Sequence, residues 1–172
     1  MPQSQLALRV ALTPPAPAAE GGRKARSARR APGLTFMVRC TADLPLVLDA
    51  LAGRMEALGY LKRDCFGMHL ALEEALVNAL KHGHGHDPAK AARVRLCVTA
   101  EQAMAEVEDQ GPGFDPSAVA DALQPENLGR ACGRGLLLMR HYTTWVRFSD
   151  RGNRVTLCKC RCPDESGLGP GE

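Results

Sequence analysis

The sequence predicts an α+β two-layer sandwich, within the broad α/β class, whose mixed and mostly antiparallel sheet is covered on one face by helices. Three observations carry this expectation. Two consecutive segments repeat apolar residues at helical spacing, two pairs of short strand-like segments are joined by polar turns, and a third helical segment falls between the pairs.

In chain order, LTFMVRC at 34–40 is β-branched and aromatic enough for a strand. Asp43 is placed to cap a helix running to about Gly59, with Leu44, Val47, Leu48, Leu51, Met55 and Leu58 at helical spacing. A second helix is expected from about Lys62 to Lys81, with Cys65, Met68, Leu72, Ala75, Leu76 and Ala79 on its apolar side and Gly83 as its breaker. RVRLCVTA at 93–100 and AMAEVEDQ at 103–110 alternate, with Val94, Leu96, Val98, Met104 and Val107 as the apolar positions, and form a hairpin. From Gly111 to about Gly133 the chain is rich in Gly and Pro, with a weak helical signal near 117–123; loops this long tend to be functional. GLLLMRHY at 135–142 reads as a helix, and TTWVRFSD and NRVTLCKC are two strands joined at Arg151-Gly152.

The 172 residues suit one domain. Residues 1–33 hold Arg9, Arg23, Lys24, Arg26, Arg29 and Arg30 against Glu20 alone, so the small net charge of +3 conceals a slightly acidic remainder. A body of that charge lacks the basic face that nucleic acid requires. The segment 1–33 is poor in large apolar residues and is expected to be a disordered basic tail, with a folded domain at 34–160 and a flexible tail at 161–172. The apolar run near the N-terminus is short and broken by Arg9 and prolines, which makes a poor secretory signal, and no segment is long enough to span a bilayer. Seven scattered cysteines do not form a disulfide framework, so a reducing cytoplasm is expected.

Three motifs carry chemistry. LALEEALVNALKHG places Glu74 and Asn78 one helical turn apart on one face, where a carboxylate able to take a proton and an amide oxygen could share a magnesium-phosphate site. Alone, the pair reads more readily as a solvated polar stripe. DQGPGFD at 109–115 follows a strand directly; its glycines allow a ligand to approach the backbone, and Asp109 can accept a hydrogen bond from an amino group such as that of adenine. Alone, it is a tight turn. Gly133-Arg134-Gly135 opens a helix whose amides and dipole favour phosphate.

In this order and context the three motifs match the N, G1 and G2 boxes of the ATPase superfamily that includes gyrase, histidine kinases and mismatch-repair proteins. The wording EEALVNALKHG, EDQGPGFDP and GRGLLLMRHY most resembles the bacterial anti-sigma-factor serine/threonine kinases, over about residues 34–160. That resemblance implies a Bergerat-type fold binding ATP and Mg²⁺, with Glu74 as general base and Asn78 holding the metal. It implies that Asp109 binds the adenine amino group and that Gly111 and Gly113 shape the base pocket. Gly133, Arg134 and Gly135 would line the phosphates under a lid at 115–132, Thr156 would support the adenine-side hydrogen bonds, and Lys81 and His82 would face phosphate. The implied partners are an anti-sigma-factor antagonist, phosphorylated on Ser or Thr, and/or a sigma factor; family members often form homodimers. Neither nucleic acid nor membrane is an expected partner. Two alternatives stay open: nucleotide-dependent binding of a partner without catalysis, and a histidine-kinase-like domain acting in trans.

Two further runs invite metal chemistry. His82, His84 and His86 alternate with glycines and are expected to form a flexible polar loop in preference to a Zn²⁺ or Ni²⁺ site. Cys158, Cys160 and Cys162 alternate along a strand and face one side, where one or two of them are expected to pack as small apolar residues in preference to a metal or redox role.

Overall fold

A computed structural model describes residues 33–85, 87–114 and 134–161, with the Arg134 side chain left out. The tail expected at 1–33, except Gly33, the weak helix near 117–123, the lid at 115–132 and the tail from 162 lie outside the described residues. Five strands and three helices make up the body: β1 (Leu34–Val38), α1 (Leu44–Ala57), α2 (Lys62–Asn78), β2 (Ala92–Val98), β3 (Gln102–Glu108), α3 (Arg134–Tyr142), β4 (Trp145–Phe148) and β5 (Arg154–Cys160). The sheet order is β1-β2-β3-β5-β4, and every pairing among the described residues is antiparallel. The chain therefore forms the expected two-layer α+β sandwich.

Strand alternation divides the sheet. Val94, Leu96 and Val98 of β2, Ala103, Ala105 and Val107 of β3, and Val155 and Leu157 of β5 are buried towards the helices. Met104 does not share the inner face with Val107, because three residues along a strand reverse the side; it pairs with Cys97 and Cys158 on the outer face. Alanines take its expected place inside. The helices answer with Leu51, Met55, Met68, Leu72 and Leu76, all at most 1 % exposed. Full burial of each such side chain contributes about 1.5–3 kcal/mol, the main term holding the two layers together.

Local details position the helices. Asp43 does not cap α1 with its side chain; its carboxylate turns back to accept the amides of Arg39 (2.8 Å) and Cys40 (3.2 Å), which hold its pKa below the ordinary carboxylate range. Gly59, at φ 73°, closes α1 as expected. Gly67 on α2 leaves its surface open to the Tyr142 ring, so α3 lies close along α2. At the other end, Arg161 donates its amide to the Glu101 carbonyl (2.8 Å) and its guanidinium to the Leu58 carbonyl (3.0 Å), so the ordered body reaches Arg161. No helix among the described residues is long and apolar enough to cross a membrane.

Candidate functional site

The regular part of α2 ends at Asn78, short of the expected Lys81. The chain continues as a π-helical turn over Ala79–Gly83, closed by the His84 amide on the Ala79 carbonyl (2.9 Å). A π turn admits an extra residue and rotates the residues beyond it around the helix axis, a device concentrated at functional sites. Here Lys81 and His82 line the same cavity as Glu74 and Asn78.

The second wall comes from the end of β3. Asp109 is fixed by its backbone, its amide donating to the Asn153 carbonyl (2.9 Å) and its carbonyl accepting Asn153 Nδ2 (3.1 Å). Its Oδ1 accepts the Gly111 amide at 2.7 Å. Burial raises the Asp109 pKa, against the opposing pull of the Gly111 amide, His84 and Arg151. The glycines of this turn make their close approaches to protein. A Cβ on Gly111 would run into the Gly83 backbone, one on Gly83 into the Asp109 carboxyl, and one on Gly113 into the Arg151 carbonyl. They draw three turns together around Asp109.

The third wall is the start of α3. The Gly135 Cα faces α2 so closely that a Cβ there would lie 2.5 Å from Glu74 Oε2 and 3.4 Å from Asn78 Nδ2. The amides opening a helix have no partner in the helix itself, so α3 directs donors and a partial positive charge to the corner that holds Glu74 and Asn78. Gly133 lies outside the described residues, and Arg134 is placed only as a backbone position in α3.

These walls enclose about 490 Å³, within the range of cavities that hold small molecules. Val107, Phe114, Leu136, Met139 and Phe148 supply apolar lining, with Phe114 and Phe148 edge to face at 5.4 Å. Oxygen donors for a hard cation, Glu74 and Asn78, share the cavity with an anionic hydrogen-bond acceptor, Asp109. An apolar slot for a base, an acceptor for its amino group, and a helix N-terminus beside hard oxygen ligands suit a nucleoside polyphosphate with Mg²⁺.

The structure brings together Glu74, Asn78, Lys81, His82, Asp109, Gly113 and Gly135, with Gly111 one layer behind. Thr156 is not among them. The register pairs it with Glu106 and Arg147 on the outer face, while Val155 turns inward to the cavity. The polar residue of this region that reaches Asp109 is Asn153, three positions earlier. Asn153, Phe114 and Phe148 are among the wall residues that sequence reading missed; the Arg151-Gly152 turn was visible, but not that it folds back onto Asp109.

The histidine run also resolves differently from a flexible loop. His84 is 4 % exposed, and its Nε2 accepts the Gln110 amide at 3.3 Å, while His82 lines the cavity and His86 lies outside the described residues. Among the described residues no three His, Cys, Asp or Glu side chains are placed to hold a metal. Cys158 is buried, with its thiol pushed up to about 12 by burial and by Cys160 beside it, and Cys162 lies outside the described residues. Such a thiol packs as an apolar residue.

A family model described as a histidine kinase-like ATPase domain matches residues 39–159. No curated protein matches the chain.

Proposed function

The chain belongs to the histidine kinase-like ATPase domain family, and on that premise we propose that it is a cytoplasmic ATP- and Mg²⁺-dependent serine/threonine kinase acting on an anti-sigma-factor antagonist, with sequestration of a sigma factor as a companion role. ATP binding follows from the family; the residue roles, the metal, the acceptor and the partner belong to this proposal. The observation that carries it is the meeting of the Gly135 backbone with Glu74 and Asn78, because it sets a helix N-terminus over a carboxylate and a hard oxygen ligand.

In this reading the adenine amino group donates to Asp109, and the base lies among Val107, Phe114 and Phe148. Asn153 holds the Asp109 backbone in place. The α3 amides, Lys81 and His82 surround the phosphates, the resemblance assigns Gly133 and Arg134 to the same role, and Asn78 would supply an oxygen to Mg²⁺. Mg²⁺ held by Asn78 and the phosphates would supply charge neutralisation for the phosphoryl group. Glu74 stands beside the phosphate corner, where it accepts the proton of the attacking hydroxyl as the phosphoryl group leaves ADP. The kinase domain occupies about 34–160, and the family's habit of pairing makes a homodimer part of the proposal.

The test is incubation with γ-labelled ATP and candidate antagonist proteins. Label on Ser or Thr of an antagonist supports the proposal. Acid-labile label on His would replace it with a histidine kinase acting in trans, and tight ATP binding without transfer would reduce it to a nucleotide-gated binding protein. Glu74→Ala is expected to retain nucleotide and lose transfer, and Asn78→Ala to lose magnesium-dependent binding; full transfer by either variant would overturn the assigned roles.

A further inference from the structure

His84 is used by none of the roles above, yet its placement is demanding. The ring is 4 % exposed, and its backbone amide closes the π turn on the Ala79 carbonyl. Its Nε2 accepts the amide of Gln110, the residue after Asp109. A neutral imidazole that accepts at Nε2 carries its proton on Nδ1, and among the described residues that buried nitrogen has no hydrogen-bond partner. An apolar ring would fill the space and remove the orphaned Nδ1 donor, leaving without its acceptor only the amide of the exposed Gln110, so the imidazole carries a cost that packing does not explain.

What the ring does is join the two halves of the cavity. On one side is the π turn, with Lys81 and His82; on the other is the Asp109 turn, packed against Gly83 through close backbone contacts. We propose that His84 is a positioning residue for the ATP site, setting the separation between the phosphate-side π turn and the adenine-side Asp109 turn through its acceptor nitrogen. The inference rests on the ATP-binding reading and adds to it a residue that touches no nucleotide.

The link works only while the ring is neutral. Protonation turns Nε2 into a donor facing the Gln110 donor, so the bond is present above the His84 pKa and lost below it. Burial lowers that pKa below its ordinary value; among the charges facing the ring, Asp109 at the end of β3 draws it back up, Lys90 lowers it further and Asp87 raises it. Asp109 itself also loses its charge in acid, so wild-type ATP affinity has two acid-sensitive contributions and one of them belongs to His84.

The experiment uses the full chain, with ¹⁵N spectra of the imidazole and ATP titrations from pH 5 to 8. The spectra are expected to show an unprotonated Nε2 and a protonated Nδ1 at neutral pH. His84→Gln, which keeps an acceptor but does not titrate, should bind ATP within about threefold of wild type at pH 7.5 and lose less affinity on acidification. His84→Phe, which fills the space without an acceptor, should bind about tenfold more weakly, the order expected for one lost partly buried hydrogen bond, while its melting temperature without nucleotide stays near or above that of wild type. Protonated Nε2 in the spectra, an unchanged acid loss in His84→Gln, or wild-type affinity in His84→Phe would each overturn the proposal. Wild-type protein that binds no ATP at any pH would sink the functional reading and this inference with it, whereas failure confined to the variants removes His84 alone.

Discussion

Gly113 and Gly152 interlock at the mouth of the cavity. A Cβ on Gly113 would run into the Arg151 carbonyl, and one on Gly152 into the Phe114 carbonyl, and both residues hold positive φ, at 82° and 72°. The β4–β5 turn and the Asp109 turn are thus pressed together backbone to backbone, and the Arg151 guanidinium donates to the Gly111 carbonyl at 3.3 Å across the same seam. Gly152→Ala combines left-handed strain with a clash against backbone. It is expected to destabilise the fold by about 1–3 kcal/mol and to weaken ATP binding, as read by urea unfolding and by titration.

Asp109 is the proposed acceptor for the amino group of the base. Burial raises its pKa, so the folded chain holds the proton more tightly than the unfolded chain does. Its contribution to stability is therefore greatest in acid and falls as pH rises from the unfolded pKa through the raised folded one. Asp109→Asn keeps an acceptor for the Gly111 amide and removes the buried charge. At pH 7 it should melt no lower than wild type, while ATP affinity falls about 10- to 100-fold for loss of a charge-assisted hydrogen bond. A lower melting temperature with intact binding would contradict the assignment.

Gly135→Ala tests the proposed phosphate corner without replacing either side chain in it. The added methyl group would crowd Glu74 Oε2 and Asn78 Nδ2, yet alanine suits a helix better than glycine by up to about 1 kcal/mol. Calorimetry should show near-normal melting together with at least a tenfold loss of Mg²⁺-dependent ATP binding, taking about 1.4 kcal/mol as the cost of a displaced ligand contact.

Far from the cavity, Asp64 is buried at the start of α2 and meets the Lys159 ammonium at 3.3 Å, with its second oxygen unpartnered among the described residues. Lys159→Met leaves that carboxylate buried alone and should cost about 3–5 kcal/mol. Adding Asp64→Leu to it should recover most of the loss in denaturant unfolding, since the pair is replaced by apolar packing.

Much of this fold was legible in the chain because side-chain period reports burial directly. Val94, Leu96 and Val98 alternate, the α2 positions from Cys65 to Ala79 recur at helical spacing, and each set is buried as a group. The exceptions have local causes. Asp43 looked like a helix cap, but two amides on its N-terminal side compete for its carboxylate. Met104 looked like a core residue, but parity along β3 sends it outward, and alanines face the helices.

The site divides in the same way. Glu74 and Asn78 lie within one helix and Asp109 at the end of one strand; their short spacings alone read as a polar stripe and a tight turn, the family resemblance grouped them, and all three line one cavity. Thr156 and Asn153 could not be sorted so, because which strand residue faces inward depends on the register of β5 against β3 and β4. His84 likewise looked like part of a polar loop; only the return of the Gln110 amide to its ring makes it a buried junction. The sequence by itself determined the order of elements and most of the faces they bury, and its motifs named the residues proposed to bind a nucleotide. Tertiary structure decided which of those residues meet, since contacts between turns distant in the chain depend on strand register and backbone close approach, and neither leaves a periodic mark in the sequence.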